Sequence, residues 1–85
     1  MTSDTFERVR AIIAKHAERA IEQVQADASL EEDLGLDSLG ALEVIFEIEE
    51  EFRILVPNER AAEFKSVRSV CDGIEALQRA AATAG

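Results

Sequence analysis

The sequence lacks the residue sets on which common catalytic and metal sites depend. It has 85 residues and a single cysteine, Cys71, so the chain cannot form an internal disulfide. Its single histidine, His16, has no serine or cysteine nearby in sequence, so we predict neither a nucleophile with a histidine base nor a zinc site. We predict a non-enzymatic protein without a metal, with His16 solvated near a helix end.

Long apolar runs are also missing. No run approaches the ~20 residues that a membrane-spanning helix needs, and the polar N-terminus has no signal-peptide pattern. One cysteine suits a reducing compartment, so we expect a cytoplasmic protein. The 47% of hydrophobic residues suffices for one small core. We predict a single domain over residues 1–85, ordered from about 4 to 80, with a frayed C-terminal tail.

Positive charge is absent from the middle of the chain. The net charge is −9, and no Lys or Arg occurs between Arg19 and Arg53. Nucleic acid and anionic membranes would be repelled, and a partner with a basic patch would be attracted. Taken alone, this charge is more typical of an acidic surface that only keeps a protein in solution. The acids of this segment are Glu22, Asp27, Glu31, Glu32, Asp33, Asp37, Glu43, Glu47, Glu49, Glu50 and Glu51.

The apolar residues recur at helical spacing and show no strand pattern. They predict helices over residues 5–17, 38–52, 59–63 and 67–80, with a long connection over 18–36. The fold class is therefore all-α, a four-helix bundle with a long first loop and a short third helix. Capping residues predict four helix starts, which are Asp4 with Glu7, Ser29 with Glu32 for a short turn of helix at 30–34, Asn58, and Ser66.

The fourth helix and the connector before it supply further core candidates. Gly73 weakens the helix and leaves space for a neighbouring side chain or for a bound chain. Three consecutive apolar residues before Pro57 predict a buried connector. The connector residues are Ile54, Leu55 and Val56, and the core stripe of the helix is Val67, Val70, Cys71, Ile74 and Leu77.

The second helix carries two apolar stripes when its residues are placed about 100° apart. We expect the first stripe to face the core, and the second to stay largely exposed because acids border it. A bundle that buries both stripes is the alternative. The first stripe is Ala41, Val44, Ile45, Ile48 and Phe52; the second is Leu39, Leu42 and Phe46, with Glu43 and Glu50 on one edge, Glu49 on the other and Glu47 further round.

The stretch Gly35-Leu36-Asp37-Ser38-Leu39 stands directly before the second helix. Gly35 marks a sharp turn, and Asp37 is a favoured N-cap. Ser38 would then be the first helical residue, with its hydroxyl exposed at a loop–helix corner. The free N–H groups and positive dipole end of the helix favour a phosphate there.

Residues 32–39, Glu-Asp-Leu-Gly-Leu-Asp-Ser-Leu, resemble the phosphopantetheine attachment motif of acyl carrier proteins. The likeness runs from about Glu7 to Leu77 and includes Glu49-Glu50-Glu51-Phe52, Val56-Pro57 and Lys65-Ser66-Val67. Gly40, Phe46, Glu47, Arg53 and Arg60 depart from the housekeeping pattern and favour a specialised carrier in polyketide, modified-lipid or signal-molecule synthesis.

The resemblance implies that a phosphopantetheinyl transferase attaches 4′-phosphopantetheine to Ser38, and that acyl groups travel on this arm as thioesters between partner enzymes. Asp37 and Leu39 would be recognised by the transferase, and the chain would act as a monomer. The alternatives are an aminoacyl or peptidyl carrier and an unmodified acidic docking module. Implied partner-binding residues are Leu42, Glu43, Phe46, Glu47, Glu49 and Glu50; implied acyl-pocket residues are Ile45, Ile48, Phe52 and Ile74.

Overall fold

The computed structural model describes the backbone of residues 3–84 and the side chains of residues 4–80. Over this range the fold is all-α without a named strand, as predicted, and its one isolated β-bridge joins Ser29 to Ser66. The α-helices are α1 (Ser3–Ala17), α2 (Ser38–Phe52), α3 (Asn58–Ala61) and α4 (Val67–Ala84), and a one-turn 3₁₀ helix, which was not predicted, spans Ile21–Gln23.

The core lies between α1, α2 and α4 and takes one stripe from each. Val44, Ile48 and Phe52 are buried on α2, while Ile45 packs against them half-buried. On α4 the predicted stripe is buried from Val67 to Ile74, but Leu77 is only half-buried. Cys71 is wholly buried within that stripe, and burial raises the pKa of its thiol to about 11. It is therefore a core residue rather than a reactive thiol.

The long first connection is fastened to the start of α4 by backbone hydrogen bonds. The Leu30 N–H donates to the Lys65 carbonyl at 2.9 Å, and the Val67 N–H donates to the Ala28 carbonyl at 3.1 Å. Val24, Leu30, Leu34 and Leu36 from the same connection are buried in the core. This connection is thus a folded part of the bundle, and it holds the residues before α2 in place.

Two predicted start signals differ from the structure. The Ser29 hydroxyl accepts the Glu32 N–H at 3.2 Å, as expected. The Ser29 N–H, however, donates to the Asp33 carboxylate at 2.7 Å and not to that of Glu32. Residues 30–34 form a hydrogen-bonded turn and not a helix. Asn58 is the first residue of α3 rather than its cap, because the carbonyl of the extended Pro57 already accepts the first N–H groups.

The ends of α3 and α4 also differ from the prediction. Helix α3 ends at Ala61, before the predicted residue 63. Helix α4 begins as predicted, where the Ser66 hydroxyl accepts the Ser69 N–H at 3.1 Å. It continues to Ala84, beyond the predicted end at residue 80, and fraying of the tail stays a prediction.

The predicted buried connector is wrong at its middle residue. Leu55 is 83% exposed, whereas Ile54 and Val56 on either side are half-buried against the core. Successive side chains of an extended segment point in opposite directions, so three apolar residues in a row cannot all face inward. The segment leaves α2 through Arg53, which adopts the left-handed conformation with φ 55°.

Gly73 on α4 gives Phe64 room to pack. A Cβ atom at this position would overlap Cε1 and Cζ of the Phe64 ring. The space predicted at Gly73 is thus confirmed, and its occupant is the buried Phe64 side chain. Any larger residue at position 73 would push this ring outward.

Candidate functional site

Ser38 is the first residue of α2, and its side chain is exposed. Asp37 stands before it in an extended conformation, and one carboxylate oxygen accepts the Gly40 N–H at 2.7 Å. Gly35 takes a positive φ of 71° where the chain turns toward the helix. The predicted cap, turn and helix start are therefore confirmed. An exposed hydroxyl beside free helix N–H groups suits a phosphoester.

A cleft of about 350 Å³ lies beside Ser38. Its apolar lining includes Leu36, Ala41 and Phe64, which come from the loop, from α2 and from the segment before α4. Lys65 is the one cation among the described residues that line it. Acidic side chains, among them Glu31 and Glu32, also line the cleft, so a linear group attached at Ser38 has a partly apolar space next to its point of attachment. The sequence did not reveal this space, because its walls come from separate segments.

The second apolar stripe of α2 is exposed, as predicted. Leu39 is 65%, Leu42 45% and Phe46 53% exposed. Glu43 and Glu50 are also exposed, and neither carboxylate has a hydrogen bond or ion pair with any side chain in residues 4–80. We call Leu39, Leu42, Glu43, Phe46 and Glu50 the outer face of α2.

Glu47 points toward α1 and is held there by two side chains. Its carboxylate lies 2.6 Å from Lys15 Nζ and 2.9 Å from His16 Nε2. Hydrogen bonds from Lys15 and then His16 lower the pKa of Glu47 below its ordinary value of 4.5. His16 is therefore a half-buried partner of Glu47 and not the solvated residue that was predicted. The sequence gives no signal for this pair, because 31 residues separate its members.

Two further acids of α2 are also used inside the molecule. The Glu49 carboxylate accepts the Val56 N–H at 2.8 Å and thereby ties the connector to the helix. Glu51 lies 2.8 Å from the Arg8 guanidinium, which also covers the Phe52 ring at 4.3 Å. Of the four acids implied as partner-binding, Glu43 and Glu50 are thus free and Glu47 and Glu49 are already bonded.

The four implied acyl-pocket residues lie together in the packed core. Ile48 and Ile74 are wholly buried, Phe52 is 8% exposed, and Ile45 is half-buried. None of the four lines the cleft beside Ser38. An acyl chain would therefore reach these residues only if the core around them opened.

Two findings concern metals and membranes. Among residues 4–80, no group of three or more His, Cys, Asp or Glu side chains is placed to hold a metal ion. None of the described helices is both long enough and apolar enough to cross a membrane.

Comparison with known proteins identifies the domain to which these features belong. Residues 7–74 match the family model described as "Phosphopantetheine attachment site". The chain is 36% identical over 76 residues to an acyl carrier protein of Treponema denticola, covering 89% of this chain and 97% of the relative. It is 42% identical over 72 residues to an acyl carrier protein of Thermosynechococcus vestitus, covering 85% and 89%. The chain belongs to the acyl carrier protein family and contains its phosphopantetheine attachment domain.

Proposed function

We propose that Ser38 is the residue to which 4′-phosphopantetheine is attached, and that the chain presents acyl groups on this arm to partner enzymes. The observation that carries the proposal is the exposed Ser38 hydroxyl at the capped start of α2, beside a partly apolar cleft. When bound, the arm supplies a terminal thiol that holds acyl groups as thioesters.

The residues around Ser38 have separate tasks in this proposal. The Asp37 carboxylate holds the first turn of α2 through the Gly40 N–H and so fixes the direction of the Ser38 hydroxyl. The remaining free N–H groups of that turn face the phosphoester and favour its negative charge. Leu39 is 65% exposed next to the hydroxyl, so the transferase can contact it together with Asp37.

The outer face of α2 is proposed as the surface that meets partner enzymes. Its exposed apolar residues supply contact area, and its free acids attract a basic patch. A small charge-steered interface forms and separates quickly, which a carrier needs because it leaves each enzyme after each step. Glu47 and Glu49 act mainly within the chain, since their carboxylates already accept internal hydrogen bonds.

The cleft beside Ser38 is proposed as the entrance for the acyl chain. Each apolar Å² of the acyl chain that is removed from water contributes about 25 cal/mol. Leu36, Ala41 and Phe64 line this entrance, and the implied pocket residues Ile45 and Ile48 lie further along α2. The residues that depart from the housekeeping pattern favour a specialised pathway. We also propose a monomer in the cytoplasm.

Mass spectrometry after incubation with coenzyme A, Mg²⁺ and a phosphopantetheinyl transferase tests the assignment of Ser38. The wild-type chain should gain the mass of one phosphopantetheinyl group, and Ser38→Ala should gain nothing. Ser29→Ala is the matched control, because Ser29 lines the same cleft and that variant should still be modified. No gain in the wild type would leave an unmodified docking module, and a gain in Ser38→Ala would place the arm elsewhere.

The cargo is tested on the modified protein. Acyl-ligating and aminoacyl-ligating enzymes are each offered the same preparation, and the attached mass is measured. We expect acyl loading only. Aminoacyl loading alone would instead indicate a peptidyl carrier.

A further inference from the structure

Phe46 differs from the other three phenylalanines in what covers its ring. The Arg8 guanidinium lies over Phe52 at 4.3 Å, and the Arg10 guanidinium lies over Phe6 at 5.0 Å. Phe64 is buried against Gly73. Phe46 is 53% exposed, and no described cation lies over it. The chain thus stacks arginine on two of its rings and leaves one ring open to a partner.

The surroundings of Phe46 are suited to a cation. The ring lies in a shallow groove of about 630 Å³ that is also lined by Glu43, Glu47, Glu50 and Glu51. Glu47 and Glu51 are paired with cations of α1. Glu43 and Glu50 lie three and four residues from Phe46, so they flank the ring on the helix surface. Both carry uncompensated charge among the side chains described.

We propose that Phe46, Glu43 and Glu50 form a receptor for an arginine side chain of the partner, and that it prefers arginine to lysine. This proposal rests on the outer face of α2 being the docking surface. A planar guanidinium stacks on the ring while its edge N–H groups donate to the carboxylates, whereas an ammonium is a compact, strongly hydrated point charge. The ring supplies the preference between cations, and the acids supply attraction for both.

The test uses two synthetic peptides that are identical except that two basic positions are arginine in one and lysine in the other. Each peptide is titrated into the isotope-labelled unmodified chain and followed by NMR at residues 43, 46 and 50. The arginine peptide should bind more tightly by up to roughly five-fold, because a whole exposed cation–π contact is the upper limit of the difference between the two cations. Its arginine side-chain protons should also shift upfield because they lie over the ring.

Phe46→Leu keeps an apolar side chain at an exposed position and removes the ring. In this variant the two peptides should bind equally, and the upfield shifts should vanish. Glu50→Gln should weaken both peptides alike. Glu22→Gln removes one exposed acid away from α2 and should change neither affinity. Circular dichroism of each variant confirms that it is folded.

Equal binding of both peptides to the wild type would overturn the proposal, and so would an arginine preference that survives in Phe46→Leu. The experiment does not use the arm, so it is independent of the modification of Ser38. Modification without an arginine preference would reject the receptor alone. The preference without modification would reject the carrier assignment and keep the receptor.

Discussion

Helix α2 carries acids on two flanks, and their carboxylates have different surroundings. On the flank toward α1, Glu47 is paired with Lys15 at 2.6 Å and Glu51 with Arg8 at 2.8 Å. On the outer face, Glu43 and Glu50 have no partner among the side chains of residues 4–80. The same residue type on one helix therefore joins two helices on one side and remains available for binding on the other.

A count of the acids on α2 therefore overstates the charge that this helix can offer to a partner. A paired carboxylate has already exchanged part of its hydration for contacts with a neighbour, and its charge is locally compensated. A free carboxylate keeps its full field, which reaches about 8 Å at physiological ionic strength. The outer face is thus smaller than the acidic helix suggested, and it is centred on Phe46.

The largest effect is expected from shortening a buried apolar side chain of α2, compared with shortening an exposed one. Ile48→Ala removes a wholly buried side chain and should lower the free energy of unfolding by about 2–5 kcal/mol. Phe46→Ala should change it by less than about 0.5 kcal/mol, because this ring is on the surface. Urea unfolding measures both. A comparable decrease in the free energy of unfolding for Phe46→Ala would mean that the Phe46 ring is packed against other parts of the chain in solution.

The next effect concerns the free acids. Changing both Glu43 and Glu50 to Lys should slow loading by the transferase on the order of ten-fold at low salt, and by less as salt rises. The matched control changes Glu22 and Glu59, which are exposed but off α2, to Lys. Loading rates followed by mass spectrometry compare the pairs. Equal slowing by the control pair would make net charge, rather than the outer face, responsible.

A smaller effect is expected for the paired acid. The pKa of Glu47 is lowered in the folded state by Lys15 and His16, so this carboxylate stabilises the fold above its unfolded pKa. That contribution is lost as pH falls through the folded value, below about 4.5. Glu47→Gln should be less stable than wild type at neutral pH by about 0.2–1 kcal/mol, since the pair is partly exposed.

The control for Glu47→Gln is Glu50→Gln, which removes an unpaired carboxylate from the same helix. Thermal unfolding across the acid range should show the gap between wild type and Glu47→Gln closing on acidification. Wild type and Glu50→Gln should stay together throughout. A gap of constant size for Glu47→Gln would assign its loss to packing rather than to charge.

The smallest effect is expected when Glu47 loses one of its two partners. Lys15→Gln removes the nearest cation from Glu47 and should raise the affinity for the arginine peptide by less than about two-fold. Arg60→Gln removes a positive charge on α3, away from α2, and should leave that affinity unchanged. NMR titration compares the two. An equal rise in both variants would reflect net charge alone.

The elements that local signals define could be read from the sequence. The Asp37 cap and the helical spacing after it predicted the correct bounds of α2, and the acids bordering Leu42 and Phe46 indicated that this stripe is exposed. These features depend on residues within about one or two helical turns of each other. The start of α4 at Ser66 was predictable for the same reason.

Features that join distant segments could not be read in this way. His16 meets Glu47 only because α1 packs beside α2 in one particular rotation, which hydrophobic spacing does not specify. Leu55 was misjudged because composition indicates how apolar a segment is and not which way each side chain points. The cleft beside Ser38 was missed because its walls come together only on folding.

The packing of Phe64 against Gly73 affects the cleft beside Ser38. One wall of that cleft is the Phe64 ring. The position of this ring depends on Gly73, which packs against it and is not among the residues that line the cleft. A larger residue at position 73 would displace the Phe64 ring and so narrow the cleft beside Ser38. Under the proposed function, the residue at position 73 would therefore limit the size of the acyl group that enters, although it is not among the residues that line the cleft.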